Sequence, residues 1–533
     1  MPTILKQYLF FFGLVLAIPT AQGQPEITRR IEIDIKRKLG DDFLNFPLQE
    51  QGTLVMLEQK GIDQGDRLYR FWRFDTTLQQ LWKVQHRIPI QYELINSNRD
   101  AEYAYFLFQK GLKDLIILEV RLSDGKGIRM EYENIVKSEI WEFEVLDRRF
   151  LLAGESKNKP FVLYFHPDAA FTKVLPGLQQ VNTYLARVTV DTTYQRIMVV
   201  ISGRTRKQKN VFVNIYDLEG RRLHTHILEN NYDYQLLEFK PYPTGKDQWL
   251  LFGSYAHKTW EKVQGVYVVP LRDPEEKPTV YAYDLANFKN YFNFYKKKRK
   301  RRMLRKVKRL KRKGKRKRYH YDWFTHPLKE QNGRLFFSTD IYRPNYQPDR
   351  NNTALNTIMN PAYSSFFNRS SWLYGYNFND PFTHLASRGR QRNAPTSYRY
   401  QGTFVCAFTK KGVPVWDNLF DLDELSQPQP RRPTAFHNHQ DSLAFVEFDE
   451  GTLRFAQFYR SQPKGKEAIR EVENWDEKAI DTLRIANRFN ENLVHWYNNF
   501  FLLSGEQKVR TTNPLDPVKR VFYLSKVRYR EED

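Results

Sequence analysis

The chain has 533 residues, of which 41% are hydrophobic and 15% aromatic, and its formal net charge is +24. This length and apolar content are sufficient for a large core, while a single cysteine excludes an internal disulfide framework. After the N-terminal region no stretch approaches the ~20 apolar residues of a membrane-spanning helix, so a helical integral membrane protein is excluded.

The N-terminus has the pattern of an export signal. Lys6 precedes an apolar run over 8–18, and Ala21-Gln22-Gly23 follows it. A short apolar run behind a positive charge and before small residues predicts a signal peptide, here 1–23. We therefore expect an exported chain, periplasmic or extracellular, with 24–533 as one domain. No cysteine lies near the cleavage point, which disfavours a lipid anchor.

Short apolar strands then recur at regular spacing. TLVMLEQKG, YAYFLFQKG, RFLLAG, RIMVVISG and WLLFG place glycines at 61, 111, 154, 203 and 253, which are 50, 43, 49 and 50 residues apart. RLFFSTD, SLAFVEFDEG and FFLLSG continue the series. Each copy is flanked by further alternating strands and by turns such as Leu218-Glu219-Gly220. The period is that of a propeller blade with four strands.

The repeat count predicts an all-β fold, a β-propeller of about eight four-stranded blades. The last unit ends after RVFYLSKVRY, and its missing strand is supplied by ITRRIEIDI at 27–35, which alternates strictly after Thr28. Closure by this N-terminal strand would leave no unpaired edge. A seven-bladed ring and a pair of β-sandwiches are the alternatives.

A basic insertion interrupts the repeat at 283–320. Asp284 is a candidate N-cap, apolar residues follow at helical spacing, and Met303, Val307 and Leu310 continue the seam, so a helix is predicted from Asp284 to Lys313. From Lys296 to Arg318, 18 of 23 residues are basic and none is acidic, and without them the net charge falls from +24 to +6. A solvated, self-repelling charge run is the alternative to a binding segment.

A second insertion, 342–401, is rich in Asn, Ser and aromatic residues, and it contains Trp372, Tyr374 and Tyr376. Flat aromatic faces beside amides suit a sugar ring, whereas a loop packed on the ring by these aromatics is the structural alternative. In a propeller, connections between blades and those between second and third strands emerge on one face. Both insertions are therefore expected to lie together.

Other motifs carry less chemistry. His224 and His226, and His437 and His439, have strand spacing that places each pair on one face, but a metal would need a third ligand that no spacing specifies, so exposed strand residues and no metal site are expected. Cys406 lies in a predicted strand and is expected to be a buried core residue. No phosphate loop, nucleophile elbow or zinc-protease motif is present, so no cofactor or catalytic residue is predicted.

The hairpins VFVNIYDLEGRRLHTH and TFVCAFTKKGVPVWDNL resemble those of β-propeller proteins. The resemblance covers nearly all of the chain but is architectural, because the signatures of WD40, kelch and sialidase repeats are absent. It implies a fold and no function.

These patterns lead to one functional hypothesis, an exported non-catalytic binding protein of the cell envelope. Its partners would be an anionic lipid or lipopolysaccharide surface, or an envelope protein. A glycan-directed enzyme at the channel mouth is the alternative, and nucleic acid is disfavoured by export. The candidate binding residues are Lys296, Lys297, Arg299, Arg301, Arg302, Arg305, Lys308, Arg309, Arg312, Arg316, Trp372, Tyr374 and Tyr376.

Overall fold

The structure is a computed structural model, and it describes residues 25–35, 42–63, 65–133, 136–157, 159–167, 172–180, 182–203, 210–228, 234–257, 262–272, 276–345, 397–427, 432–439, 441–449, 451–471, 486–510 and 518–529. The predicted signal peptide, and Trp372, Tyr374 and Tyr376 of the second insertion, lie outside these residues.

Strands in the first half of the chain are β1 (Pro25–Ile35), β2 (Asp42–Pro47), β3 (Thr53–Asp63), β4 (Asp66–Phe74), β5 (Gln80–Pro89), β6 (Glu93–Arg99), β7 (Tyr103–Lys110), β8 (Asp114–Arg121), β9 (Gly127–Glu133), β10 (Glu139–Leu146), β11 (Arg149–Ser156), β12 (Lys159–Phe165), β13 (Thr172–Val174), β14 (Thr183–Asp191), β15 (Arg196–Gly203), β16 (Val211–Tyr216) and β17 (Arg222–Leu228).

Strands in the second half are β18 (Tyr234–Leu236), β19 (Lys240–Gly245), β20 (Gln248–His257), β21 (Gly265–Leu271), β22 (Tyr281–Asp284), β23 (Asp322–Thr325), β24 (Lys329–Gln331), β25 (Arg334–Asn345), β26 (Ser397–Thr409), β27 (Pro414–Asp421), β28 (Ser426–Gln427), β29 (Thr434–His439), β30 (Ser442–Asp449), β31 (Thr452–Tyr459), β32 (Gln462–Glu471), β33 (Ala486–Tyr497), β34 (Phe500–Arg510) and β35 (Val518–Tyr529). Within the described residues the helical elements are one α-helix, α1 (Lys297–Arg312), and the 3-10 turns Gln49–Gln51 and Leu285–Asn287.

The described strands form eight antiparallel sheets in chain order, which confirms the eight-bladed propeller. Blades 1 to 4 are β2–β5, β6–β9, β10–β13 and β14–β17, and blades 5 to 8 are β18–β22, β23–β28, β29–β32 and β33–β35 with β1. The seven-bladed and β-sandwich alternatives are therefore wrong.

Blade 8 is closed by the N-terminal strand, as its alternation predicted. β1 pairs antiparallel with β35, with Ile31 opposite Leu524 and Ile33 opposite Phe522. The two ends of the described chain thus complete one sheet, which removes the unpaired edge that either would present alone.

The buried apolar side chains of the described residues form eight clusters, one at each interface between neighbouring blades. The last of them joins blade 1 to blade 8, where the rings of Phe43 and Phe522 stack at 4.5 Å. The second strand of a blade packs against both neighbouring blades. In blade 1, Leu54 of β3 packs toward blade 2 and Val55 packs toward blade 8. Burial on both faces explains why these strands are continuously apolar.

First strands of neighbouring blades contact one another around the propeller axis, as in blades 2, 3 and 4 and in blades 7 and 8. Asn98 Nδ2 donates to the carbonyl of Phe143 at 2.9 Å, which joins the first strands of blades 2 and 3. In blade 5 the first strand is interrupted between β18 and β19, and a Cβ on Gly253 would come within 1.9 Å of the Glu238 carbonyl oxygen. Only glycine allows this close approach of the two strands.

Candidate functional site

The basic insertion begins with a buried aromatic anchor and not with the predicted helix. Asp284 does cap a turn, because its Oδ1 accepts the backbone N–H of Ala286 at 2.8 Å, but the turn is a short 3-10 helix. Leu285, Phe288, Tyr291 and Phe292 then enter the core between blades 5 and 6. The predicted helix from Asp284 to Lys313 is thus wrong in its first part.

Asp417 of blade 6 explains why the anchor is not helical. Its carboxylate accepts the backbone N–H groups of Lys289 and Asn290 at 2.9 and 2.6 Å. In an α-helix these donors would bond to carbonyls four residues earlier. Burial raises the pKa of Asp417 in spite of these bonds, so the contact joins the insertion to blade 6 in the interior.

Gln264 of blade 5 joins the start of the insertion to its end. Its backbone carbonyl accepts the N–H of Leu285 at 3.1 Å, and its Oε1 accepts the N–H of Tyr319 at 3.2 Å. The hydroxyl of Tyr319 donates to Asp284 Oδ1 at 2.9 Å. The insertion therefore leaves and re-enters the propeller at one place.

The α-helix, α1, is seated on the anchor by an apolar seam. Met303, Leu304, Val307 and Leu310 are half-buried, and the first two pack against the cluster between blades 5 and 6. These positions recur at helical spacing, so they form one stripe. Arg299 lies 4.4 Å from the ring of Tyr295, which adds a cation–π contact at the start of the helix.

The other twelve residues of α1 are Lys or Arg, and eleven of them are exposed. None of these twelve forms an ion pair with a carboxylate among the residues that the structure describes. Lys297 and Lys298 also occupy the first turn, where the helix dipole is positive and no side chain caps the backbone. The helix is thus a concentrated positive charge that has no carboxylate in ion-pair contact within the described chain.

A cleft of about 1370 Å³ runs between α1 and an acidic turn of blade 6. The basic wall is formed by the first turns of the helix, and the opposite wall includes Gln401, Asp421, Asp423 and Glu424. Two of these carboxylates have cations of their own, since Arg454 lies 3.6 Å from Asp423 and Arg399 lies 3.3 Å from Glu424.

The predicted binding residues of the basic insertion form two groups, on α1 and at its N-cap, and one further position after the helix. The cleft is lined by Lys296, Lys297, Arg299, Arg302, Arg305 and Arg309. Arg301, Lys308 and Arg312 are exposed but do not line the cleft, and Arg316 lies 3.3 Å from His257 Nδ1. Seven- and four-residue spacing places Arg301, Lys308 and Arg312 on one side of the helix.

The described ends of the second insertion, 342–345 and 397–401, lie on the same face of the propeller as α1. Arg343, near the end of β25, lies 4.4 Å from the ring of Tyr321, and the hydroxyl of Tyr321 is hydrogen-bonded to that of Tyr295 just before α1. Gln401, at the return of the second insertion, lines the cleft beside the helix. The propeller connectivity therefore brings the described ends of the second insertion next to the basic insertion.

The histidine pairs differ from their expected environment. His224 and His226 have ring centres 5.2 Å apart and His437 and His439 6.5 Å apart, so each pair does share a face. However, His226 and His437 are buried, which corrects the expectation of exposed residues. In the described chain no three His, Cys, Asp or Glu side chains are placed to hold a metal ion.

Cys406 is fully buried, as predicted, and burial raises the pKa of its thiol.

Sequence reasoning missed a set of residues near the propeller axis, Lys329, Arg432 and His495. Their only sequence signal was the neighbouring His437, because residues from three blades cannot be associated by spacing alone.

No family model and no curated protein matches this chain. Among solved structures, the β-propeller domain of the Trilobed protease from Pyrococcus furiosus is 8% identical and covers 80% of this chain and 97% of its own, with a TM-score of 0.33. Cobalt-substituted apocarotenoid oxygenase from Synechocystis is 11% identical, covers 43% of this chain, and has a TM-score of 0.30. This chain spans 58% of that oxygenase's length. The fold assignment therefore rests on the sheet topology itself.

Across the part of the chain that is described, no helix combines the length and apolar character needed to cross a membrane.

Proposed function

We propose that this chain is an exported, non-catalytic propeller that docks on an anionic lipid surface through α1. One observation supports the proposal above the others: twelve cations are collected on a single helix, and none is paired with a carboxylate of the described residues. A solvated charge run would not require a buried anchor, whereas this helix is fastened by Asp417, Gln264 and an aromatic cluster.

The row Arg301, Lys308 and Arg312 is the part of α1 that we assign to the surface. It lies away from Asp421, Asp423 and Glu424, whose negative charge would repel an anionic ligand in the cleft. The apolar seam of α1 is already used against the propeller, so the helix binds by charge and does not insert. Each basic residue near an anionic leaflet contributes about 1 kcal/mol.

Lipid is favoured over nucleic acid by the predicted signal peptide, since an exported chain meets anionic lipid and lipopolysaccharide in the envelope. Binding of this kind weakens as salt rises, because the Debye length falls below ~10 Å above moderate ionic strength.

The test is co-sedimentation of the mature chain with vesicles of phosphatidylglycerol and phosphatidylcholine, or of phosphatidylcholine alone, at low and moderate salt. A variant with Arg301→Gln, Lys308→Gln and Arg312→Gln should bind the anionic vesicles less tightly. The matched control neutralises three cations of blade 2 that already have carboxylate partners. They are Lys113, Lys126 and Arg129.

Both variants lose three charges, so a general charge effect weakens them equally and overturns the proposal. Equal binding of the wild-type chain to neutral and anionic vesicles does so as well. If duplex DNA at matched phosphate concentration displaces the vesicles, α1 binds nucleic acid in preference to lipid, and the lipid proposal is wrong.

A further inference from the structure

A second cationic site lies where blades 6, 7 and 8 meet the propeller axis. His437 Nδ1 and His495 Nε2, from the first strands of blades 7 and 8, are 3.0 Å apart, and their rings stack at 4.9 Å. His495 Nε2 is also 2.8 Å from the carbonyl of Asn498, which can only accept. His495 Nε2 therefore carries a proton, and His437 Nδ1 accepts.

Two cations lie at the ring of Phe436, the residue that precedes His437. Lys329 Nζ is 4.9 Å and Arg432 Cζ 5.8 Å from the centre of the same ring, that of Phe436. The positive charge of each acts on His495, and that of Lys329 acts on His437 as well. The four side chains thus share one electrostatic environment although three blades supply them.

This group has no negative partner in the described chain. Neither Lys329 nor Arg432 forms an ion pair there, and the buried Nε of Arg432 has no hydrogen-bond acceptor there. The carboxylate of Asp340 is already engaged by His326 at 2.9 Å and by the Thr403 hydroxyl at 2.6 Å.

Charge held in this way is costly. A partly desolvated cation without a counter-ion loses hydration and gains no pairing in return. Burial, together with the charge of Arg432, lowers the pKa of Lys329 to about 7, and burial lowers that of His437 to about 4. An anion placed among these groups would offset both effects and would satisfy the Arg432 Nε–H.

We infer that Lys329, Arg432, His437 and His495 form a binding site for a small oxyanion, a carboxylate or a phosphate. Arg432 and Lys329 supply charge-assisted hydrogen bonds to the oxyanion. Neutral His437 supplies its Nε2–H, and His495 fixes that tautomer through its bond to His437 Nδ1. The site goes beyond docking by α1, since it uses none of the residues assigned to the lipid surface.

The experiment is calorimetric titration of the mature chain with inorganic phosphate and, in a separate arm, with acetate. We expect saturable binding of one anion to the wild-type chain, and the arm that responds identifies phosphate or carboxylate chemistry. Lys329→Met and Arg432→Gln should each weaken binding at least about ten-fold, the effect of a lost charged hydrogen bond. Lys126→Met, at an exposed lysine of blade 2, should leave it unchanged.

Proton uptake gives a second readout. Because the anion stabilises the protonated form of Lys329, binding near neutral pH should take up protons, seen as a heat that depends on the buffer's ionisation enthalpy. Lys329→Arg, which keeps the charge, should retain binding without proton uptake, and it covers the case in which Lys329→Met does not fold. No binding by the wild-type chain in either arm overturns the inference, and so does equal weakening by Lys126→Met.

Discussion

The carboxylate of Asp417 accepts the backbone N–H of Asn290 at 2.6 Å, across 127 residues of sequence. The side-chain amide of Asn290 donates a second bond, to the backbone carbonyl of Asp417, at 2.7 Å. This two-bond contact holds the insertion that carries α1 against blade 6. It makes the basic helix part of the fold.

We expect Asp417→Asn to loosen the anchor. An amide cannot accept two N–H groups as the carboxylate does, and a buried donor left unsatisfied costs about 1 to 3 kcal/mol. Amide hydrogen exchange should accelerate at Lys289 and Asn290, and the free energy of unfolding should fall. Asp34→Asn is the control, because Asp34 is 73% exposed and its pair with Lys519 contributes little. Equal effects of the two substitutions would contradict the role of Asp417.

The apolar seam should hold α1 on the propeller. Leu304→Ala removes part of a half-buried contact, which we expect to be worth about 1 kcal/mol. Trypsin cleavage within α1 should then be about five-fold faster, if cleavage follows the population of the detached helix. Lys308→Ala is matched in position and helix propensity but is exposed, so its cleavage rate should match that of the wild-type chain. Similar cleavage of both variants would show that the seam does not hold the helix.

Closure of blade 8 should depend on the buried side of β1. Ile27 is 6% exposed and packs between blades 7 and 8. Ile27→Ala should lower the free energy of unfolding by about 2 to 5 kcal/mol, from lost burial and the cavity that remains. Arg29→Ala, at an exposed position on the same strand, should change it little. Urea unfolding of both variants provides the comparison, and an unchanged midpoint for Ile27→Ala would contradict closure by this strand.

Lys329 should give the protein a measurable dependence of stability on pH. Its pKa is lowered by burial from 10.5 to about 7, so between these values the unfolded chain binds more protons than the folded chain. The contribution of Lys329 to the free energy of unfolding therefore rises as pH rises through that window and falls as pH falls toward 7. Lys329→Met should stabilise the protein most at the acidic end of the window.

The measurement is the urea midpoint of the wild-type chain and of Lys329→Met at both ends of this pH range, without phosphate or carboxylate buffers. Lys126→Met, whose parent side chain is 77% exposed, serves as the control. A difference between wild type and Lys329→Met that does not vary with pH would show that Lys329 has an ordinary pKa.

Local pattern predicted most of the architecture because blades are local structures. Alternation and turn residues placed the second strands, and the 43- to 50-residue spacing of their glycines indicated a propeller. The strict alternation of the N-terminal strand predicted its pairing with the last unit. The same period-based reasoning failed at Asp284 to Lys296, where apolar residues at helical spacing enter a core between blades.

The sequence by itself determined the blades, the closing strand and the concentration of positive charge, since each depends on residues close together in the chain. Only the tertiary structure decided where α1 begins and which of its cations face a cleft. It alone also showed that Lys329, Arg432, His437 and His495 lie near one another. Asp417 and Asn290 meet across 127 residues, and the axial residues come from three blades. Such contacts are set by how blades pack around an axis, and the periodicity of a single strand carries no information about them.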